Sequence, residues 1–167
     1  MRRNQNIVLI GMPGAGKSTV GVVLAKRLGC RFVDSDLVIQ EKYDKLLSEL
    51  IEEHGVEGFW ELENQVNASL DYKNTVIATG GSAVYGKEAM EHFRSTATVI
   101  YLKLSFEEVE SRLGDLAARG VTVRPGQTLR DLYEERMPLY EKYAHLILDC
   151  GGKQIREIVT ELAGRIN

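Results

Sequence analysis

Nine consecutive residues, Gly11-Met12-Pro13-Gly14-Ala15-Gly16-Lys17-Ser18-Thr19, constrain this chain more than any others. They fit G-x-x-x-x-G-K-[ST] at every fixed position, between the apolar run Ile7-Val8-Leu9-Ile10 and a helical pattern that begins near Lys17. A loop of small residues leaves backbone N–H groups free to point inward, and the following helix N-terminus adds its positive dipole end. The result is an anion cradle. In such a cradle Lys17 reaches the β- and γ-phosphates of a nucleotide and Ser18 ligates Mg²⁺, so ATP and Mg²⁺ are the expected cofactors. The competing account, a glycine-rich turn that matches by accident, lacks the strand before and the helix after that the motif requires.

Length and charge narrow the classes further. The 167 residues suit one domain, 1–167, large enough for a sheet with flanking helices. With 21 Lys+Arg against 24 Asp+Glu, nothing in the bulk charge favours nucleic acid or an anionic membrane surface. No apolar run approaches the length of a membrane span, and the N-terminus has no apolar h-region, so a cytoplasmic location is expected. Cys30 and Cys150 follow no metal-ligand spacing and read as small buried thiols. A single compact domain gives no reason to expect more than a monomer with a small-molecule substrate.

Asn6 to Ile10 reads as a fully buried strand, because its apolar run does not alternate. Val20, Val23, Leu24 and Leu28 then repeat at helical spacing, and Gly29 supplies a stop. Arg31-Phe32-Val33 is a second strand, running into Asp34-Ser35-Asp36. Helical stretches follow over Ser48 to His54 and Gly58 to Val66, with Gly55 interrupting them. Thr75 to Ala78 is a third strand, ending on Thr79-Gly80-Gly81-Ser82, and Thr98 to Leu102 a fourth. Ser105 and Glu108 have the spacing of a capping box. Gly114 to Gln127 lacks apolar periodicity and is long for a compact domain, which suggests a lid over 114–127. Thr128 to Tyr143 is helical, His145 to Leu148 a fifth strand, and Lys153 to Ile166 a closing helix. This is an α/β chain, with its acidic and glycine clusters at strand C-termini, where open sheets place ligands.

A phosphoryl acceptor must lie in line with the γ-phosphate while its hydroxyl is oriented and charge on the transferring group is neutralised. Asp34 and Asp36 share a strand end and suit that work: Asp34 for the Mg²⁺ shell, Asp36 for the acceptor hydroxyl. An Asp here would equally cap the next helix. Gly80-Gly81 either forms a second anion or carbonyl site or is a plain turn. Arg119 and Arg124 are candidates for the cation that arrives with a closing lid, and Pro138 could bend the last long helix to aim Arg136.

The loop, Asp34-Ser35-Asp36, Phe59 to Glu63, Gly80-Gly81 and Arg136-Met137-Pro138-Leu139-Tyr140, in this order, resemble the shikimate kinase family over essentially the whole chain. That resemblance implies a three-layer fold with a five-stranded parallel sheet of order 2-3-1-4-5, helices on both faces, a helical substrate-binding segment over about 36–70, and a lid. It implies ATP·Mg²⁺ on Lys17 and Ser18, with Arg112 at the start of a lengthened lid among the nucleotide residues. It assigns Asp36 to the acceptor hydroxyl, Arg124 to the phosphates, and Gly80, Gly81 and Arg136 to the substrate.

The family usually has Phe-Arg in the helical segment, the arginine pairing with the substrate carboxylate; here Trp60 follows Phe59. Ser82 replaces a third glycine, and Arg124-Pro125-Gly126-Gln127 replaces the usual Arg-Pro-Leu-Leu. Losing one charged donor to a carboxylate costs roughly 1.5 to 3 kcal/mol, about ten- to a hundredfold in binding. Either Lys42 or Lys45 substitutes, or the acceptor offers Trp60 a flat surface, or Trp60 packs between helices. The reading is an ATP-dependent kinase with shikimate as the leading acceptor. The alternatives are a paralogue for another hydroxylated metabolite and a catalytically weak nucleotide sensor.

Overall fold

The computed structural model describes residues 5–113 and 121–166. Its strands are β1 (Asn6–Ile10), β2 (Arg31–Asp34), β3 (Thr75–Ala78), β4 (Ala97–Lys103) and β5 (Leu146–Asp149). All pair in parallel, in the order β2-β3-β1-β4-β5. The central strand β1 is buried at every residue, which alternating side chains can achieve only if both faces of the sheet are covered.

The helices are α1 (Lys17–Leu28), α2 (Ser35–Tyr43), α3 (Leu47–Ser69), α4 (Lys87–Thr96), α5 (Phe106–Leu113), α6 (Leu129–Tyr143) and α7 (Ile155–Ile166). α1 packs on α7, and α3 on α4. Gly29 ends α1 in the left-handed region, its N–H returned to the carbonyls of Ala25 and Lys26. Gly55, at φ 73° and ψ 174°, breaks the helical dihedrals inside α3 where the sequence pattern was interrupted. None of the described helices is long and apolar enough to cross a membrane.

Several boundaries differ from the sequence reading. α4 and a single 3₁₀ turn over Ala83–Tyr85 lie where no element was expected. α4 buries Ala89, Met90 and Phe93, a face only three residues wide on an otherwise polar helix. His145 lies outside β5, its ring nitrogen instead accepting from Val99 N–H at 3.0 Å. Ser105 Oγ accepts from Glu108 N–H at 3.3 Å, which is the outward half of the capping box, while the Glu108 carboxylate faces Arg112. α6 runs through Pro138 unbroken from Leu129 to Tyr143. The first part of the expected lid, 114–120 with Arg119, lies outside the described residues.

Register explains why the sequence clusters meet. Leu9 pairs with Ala78, and Ala78 with Asp34, so three neighbouring strands end at one level. Two residues further along each chain stand Gly11, Gly80 and Asp36, at the carboxyl edge of the sheet.

Candidate active site

The loop after β1 and the turn after β3 wall a cavity of about 580 Å³. Gly16 sits in the left-handed region at φ 87° and is the N-cap of α1, with no side chain to occupy the first N–H groups. Gly14, Gly16, Lys17, Ser18 and Thr19 line the cavity, so the N-terminus of α1 opens on it as a cradle suited to phosphate. Pro13 also lines the cavity; Met12 and Ala15 are core residues whose part is backbone. The Lys17 ammonium donates to the carbonyls of Gly11 and Met12 at 2.8 Å each. Burial lowers its pKa to about 8, against the opposing pull of Asp36. Arg112 Nη1 donates to the Gly14 carbonyl at 3.0 Å, placing a cation on the rim of the loop.

Ser18 Oγ donates to Asp34 Oδ2 at 2.9 Å, and Asp34 Oδ1 accepts from Asp36 N–H at 3.0 Å. One carboxylate oxygen of Asp34 therefore caps α2, while the other faces Ser18 and leaves the capping and Mg²⁺ roles compatible. A hydroxyl beside a carboxylate is a hard-oxygen pair that fits Mg²⁺. Among the described residues no group of three or more His, Cys, Asp or Glu could hold a metal alone.

Across the cavity stand Asp36, Glu63, Gly80, Gly81, Ser82 and Arg136. A Cβ on Gly80 would lie 2.8 Å from Asp36 Oδ1 and 2.9 Å from Glu63 Oε2. On Gly81 it would lie 2.7 Å from Pro13 Cδ and 3.0 Å from Arg136 Nη1. The glycine pair is thus required by close approach of the site's own side chains. Ser82 Oγ donates to Glu63 Oε1 at 2.7 Å, while Glu63 Oε2 is buried without a partner. Burial pushes Glu63 up to about 8, and burial with the Asp34 charge pushes Asp36 up to about 6. At neutral pH one of the two carboxyls is charged and the other is an acid.

Sequence reading passed over Glu63 as a site residue. Its signal was periodicity: Phe59, Glu63, Val66 and Asn67 share one face of α3, so a carboxyl occupies a position marked for the core. Arg136 is 1% exposed, and its hydrogen-bond partners are all neutral: Tyr85 Oη at 3.3 Å, the Thr122 carbonyl at 2.9 Å and Thr122 Oγ1 at 3.2 Å. A buried guanidinium with neutral partners on a cavity wall is suited to an anion.

Trp60 is not on that wall. Its ring stacks on Tyr85 at 4.0 Å, and its indole N–H donates to Thr122 Oγ1 at 3.0 Å. It packs between elements, the third of the roles that its position allowed. Lys42 and Lys45 are also off the wall: Lys45 pairs with Glu53, and Lys42 lies over the Tyr43 ring. Arg124 stands away from the loop, bonded to Glu135 at 2.6 Å and lying 4.9 Å from the Trp60 ring centroid.

The sequence model of a family described as shikimate kinase matches residues 13–167. A shikimate kinase of Clostridium botulinum (strain Eklund 17B / Type B) is 37% identical over 157 residues, covering 93% of this chain and 93% of its own. One of Thiobacillus denitrificans is 35% identical over 170 residues, covering 100% and 93%. Among solved structures, the shikimate kinase from Acinetobacter baumannii in complex with shikimate superposes with a TM-score of 0.85 at 32% identity, covering 98% of this chain and 93% of that one. The Aquifex aeolicus shikimate kinase gives 0.82 at 31%, covering 97% and 96%.

Proposed function

Because this chain belongs to the shikimate kinase family, we propose that it transfers the γ-phosphoryl group of ATP to a hydroxyl of shikimate. One observation carries the choice of acceptor: the buried Arg136 guanidinium, whose hydrogen-bond partners among the described residues are neutral, shares a cavity wall with Asp36 and Lys17. A small hydroxy acid complements that wall, its carboxylate on Arg136 and its hydroxyl on Asp36.

Asp36 accepts the hydrogen of the attacking hydroxyl and holds its oxygen toward the loop; it takes the proton as the new O–P bond forms and the bond to the departing ADP breaks. Lys17 turns from the Gly11 and Met12 carbonyls to the phosphates, where its charge offsets that of the transferring group. Glu63, held by Ser82 and neutral at pH 7, leaves Asp36 as the carboxylate of the pair. Ser18 and Asp34 would hold Mg²⁺, which when bound offsets charge on the β- and γ-phosphate oxygens. Arg112 serves the nucleotide side, and Arg124 the phosphates once released from Glu135. We read 1–167 as one domain, 36–70 as its acceptor segment and 114–127 as its lid.

A coupled ADP-release assay tests this with shikimate against a panel of other hydroxy acids, polyols and nucleosides. Saturable turnover on shikimate with at least tenfold lower kcat/KM for the others is expected; a better acceptor elsewhere in the panel refutes the assignment. The altered-acceptor reading drew on a flat surface offered to Trp60, and its position off the cavity wall counts against that.

A further inference from the structure

We propose that Trp60 is a positioning residue that holds Arg136 in the orientation needed to grip the acceptor carboxylate. The inference rests on the assignment of that carboxylate to Arg136. Among the described residues Arg136 donates to two side-chain oxygens, Tyr85 Oη from Nε and Thr122 Oγ1 from Nη2. Trp60 fixes both of them. Its ring stacks on Tyr85 with an interplanar angle of 14°, and its N–H donates to the same Thr122 Oγ1 that Arg136 bonds.

The geometry is specific to an indole. Thr122 Oγ1 has two acceptor lone pairs, and the two N–H donors use them, which selects the rotamer that turns the hydroxyl oxygen toward Arg136. Without the indole donor that rotamer loses its anchor, and the guanidinium keeps only the Thr122 carbonyl and Tyr85. Trp60, Thr122 and Arg136 are 8%, 7% and 1% exposed, so solvent does not replace a missing bond readily. Nη1 is the guanidinium nitrogen nearest Gly81 on the cavity wall, and a rotation of the planar group about the Cδ–Nε bond would swing it from the acceptor. The position where the family usually has an arginine thus acts on the same carboxylate from behind, through the remaining arginine.

The test is steady-state kinetics on Trp60→Phe, Thr122→Val, their double variant, Thr122→Ser and Arg136→Lys. Trp60→Phe keeps an aromatic ring against Tyr85 and removes the donor together with the five-membered ring. The proposal predicts that Trp60→Phe and Thr122→Val each raise the KM for shikimate about two- to tenfold, the loss of one hydrogen bond, with kcat and the KM for ATP nearly unchanged. The double variant should be no worse than Thr122→Val, and Thr122→Ser should restore the wild-type KM. Additive effects, equal rises in both KM values, or an unchanged shikimate KM would overturn it; if Trp60→Phe does not fold, β-(3-benzothienyl)alanine at position 60, which keeps the bicyclic ring without the N–H, takes its place under the same outcomes. Arg136→Lys separates the premise from the inference. A tenfold or greater rise there, with no response at Trp60 and Thr122, overturns the inference alone; no response at Arg136, or no wild-type turnover of shikimate, overturns the premise and the inference with it.

Discussion

Replacing Gly80 with alanine tests the site at its tightest point. The backbone does not resist the change, since Gly80 lies outside the left-handed region; the obstacle is the pair of carboxyl oxygens 2.8 and 2.9 Å from the new methyl. Ordinary carbon–oxygen contact needs about 3.3 Å or more, so one or both carboxyls must retreat by roughly half an ångström. Glu63 is pinned by Ser82 in the core, whereas Asp36 stands half-buried on the cavity wall, so Asp36 moves. A 1 Å misplacement of a reacting group costs about 10²-fold, and half that displacement about tenfold. Gly80→Ala should therefore lower kcat about ten- to a hundredfold, with overpacking costing about 1–3 kcal/mol of stability. The coupled assay gives kcat, nucleotide titration gives ATP affinity, and thermal melting reports the fold. ATP affinity should stay within about twofold, because the loop is untouched. A folded Gly80→Ala enzyme with near-normal kcat would mean that Asp36 does not touch the reacting hydroxyl.

Three further outcomes are expected. Asp36→Asn should cut kcat at least about a hundredfold with ATP affinity nearly intact, whereas Lys17→Ala should lose turnover and nucleotide affinity together, by the same assays. The pH profile of kcat/KM for ATP, which reports the enzyme before phosphates meet Lys17, should be bell-shaped: activity falls as Asp36 protonates below about 6, and falls again as Lys17 loses its proton above about 8. Glu63→Gln should stabilise the fold progressively as pH rises from 4.5 to 8. In that window the unfolded carboxyl is ionised while the folded one, pushed up to about 8, holds its proton, so the wild type loses stability with rising pH. A melting temperature for Glu63→Gln that tracks the wild type across this window would refute the buried acid.

The nucleotide half of the site was legible because its chemistry is local. Gly11 to Thr19 specify a turn, a cradle and a helix start within one stretch, and β1 and β3 announce themselves as unbroken apolar runs. Asp34 and Asp36 were legible as a pair, though their two hydrogen bonds, one to Ser18 and one within the cap, required coordinates. The acceptor half is assembled from distant segments, and there the sequence was less direct. Glu63 was hidden because its hydrogen-bond partner, Ser82, lies 19 residues away and outside α3. Trp60 invited a substrate role by its place in the family pattern, but the residues that define its work, Tyr85 and Thr122, are joined to it only by the fold. α4 was missed because its buried face is narrow and its charged residues dominate the window.

In the proposed reaction the phosphate cradle and the Asp36–Arg136 wall serve one transfer to shikimate. ³¹P NMR of the wild-type protein with ATP, Mg²⁺ and shikimate follows the γ-phosphoryl group itself. The account predicts loss of the γ-phosphate signal matched by ADP and by one new phosphomonoester signal on shikimate. Loss of the γ-signal to inorganic phosphate alone, or no change despite bound ATP, would contradict it.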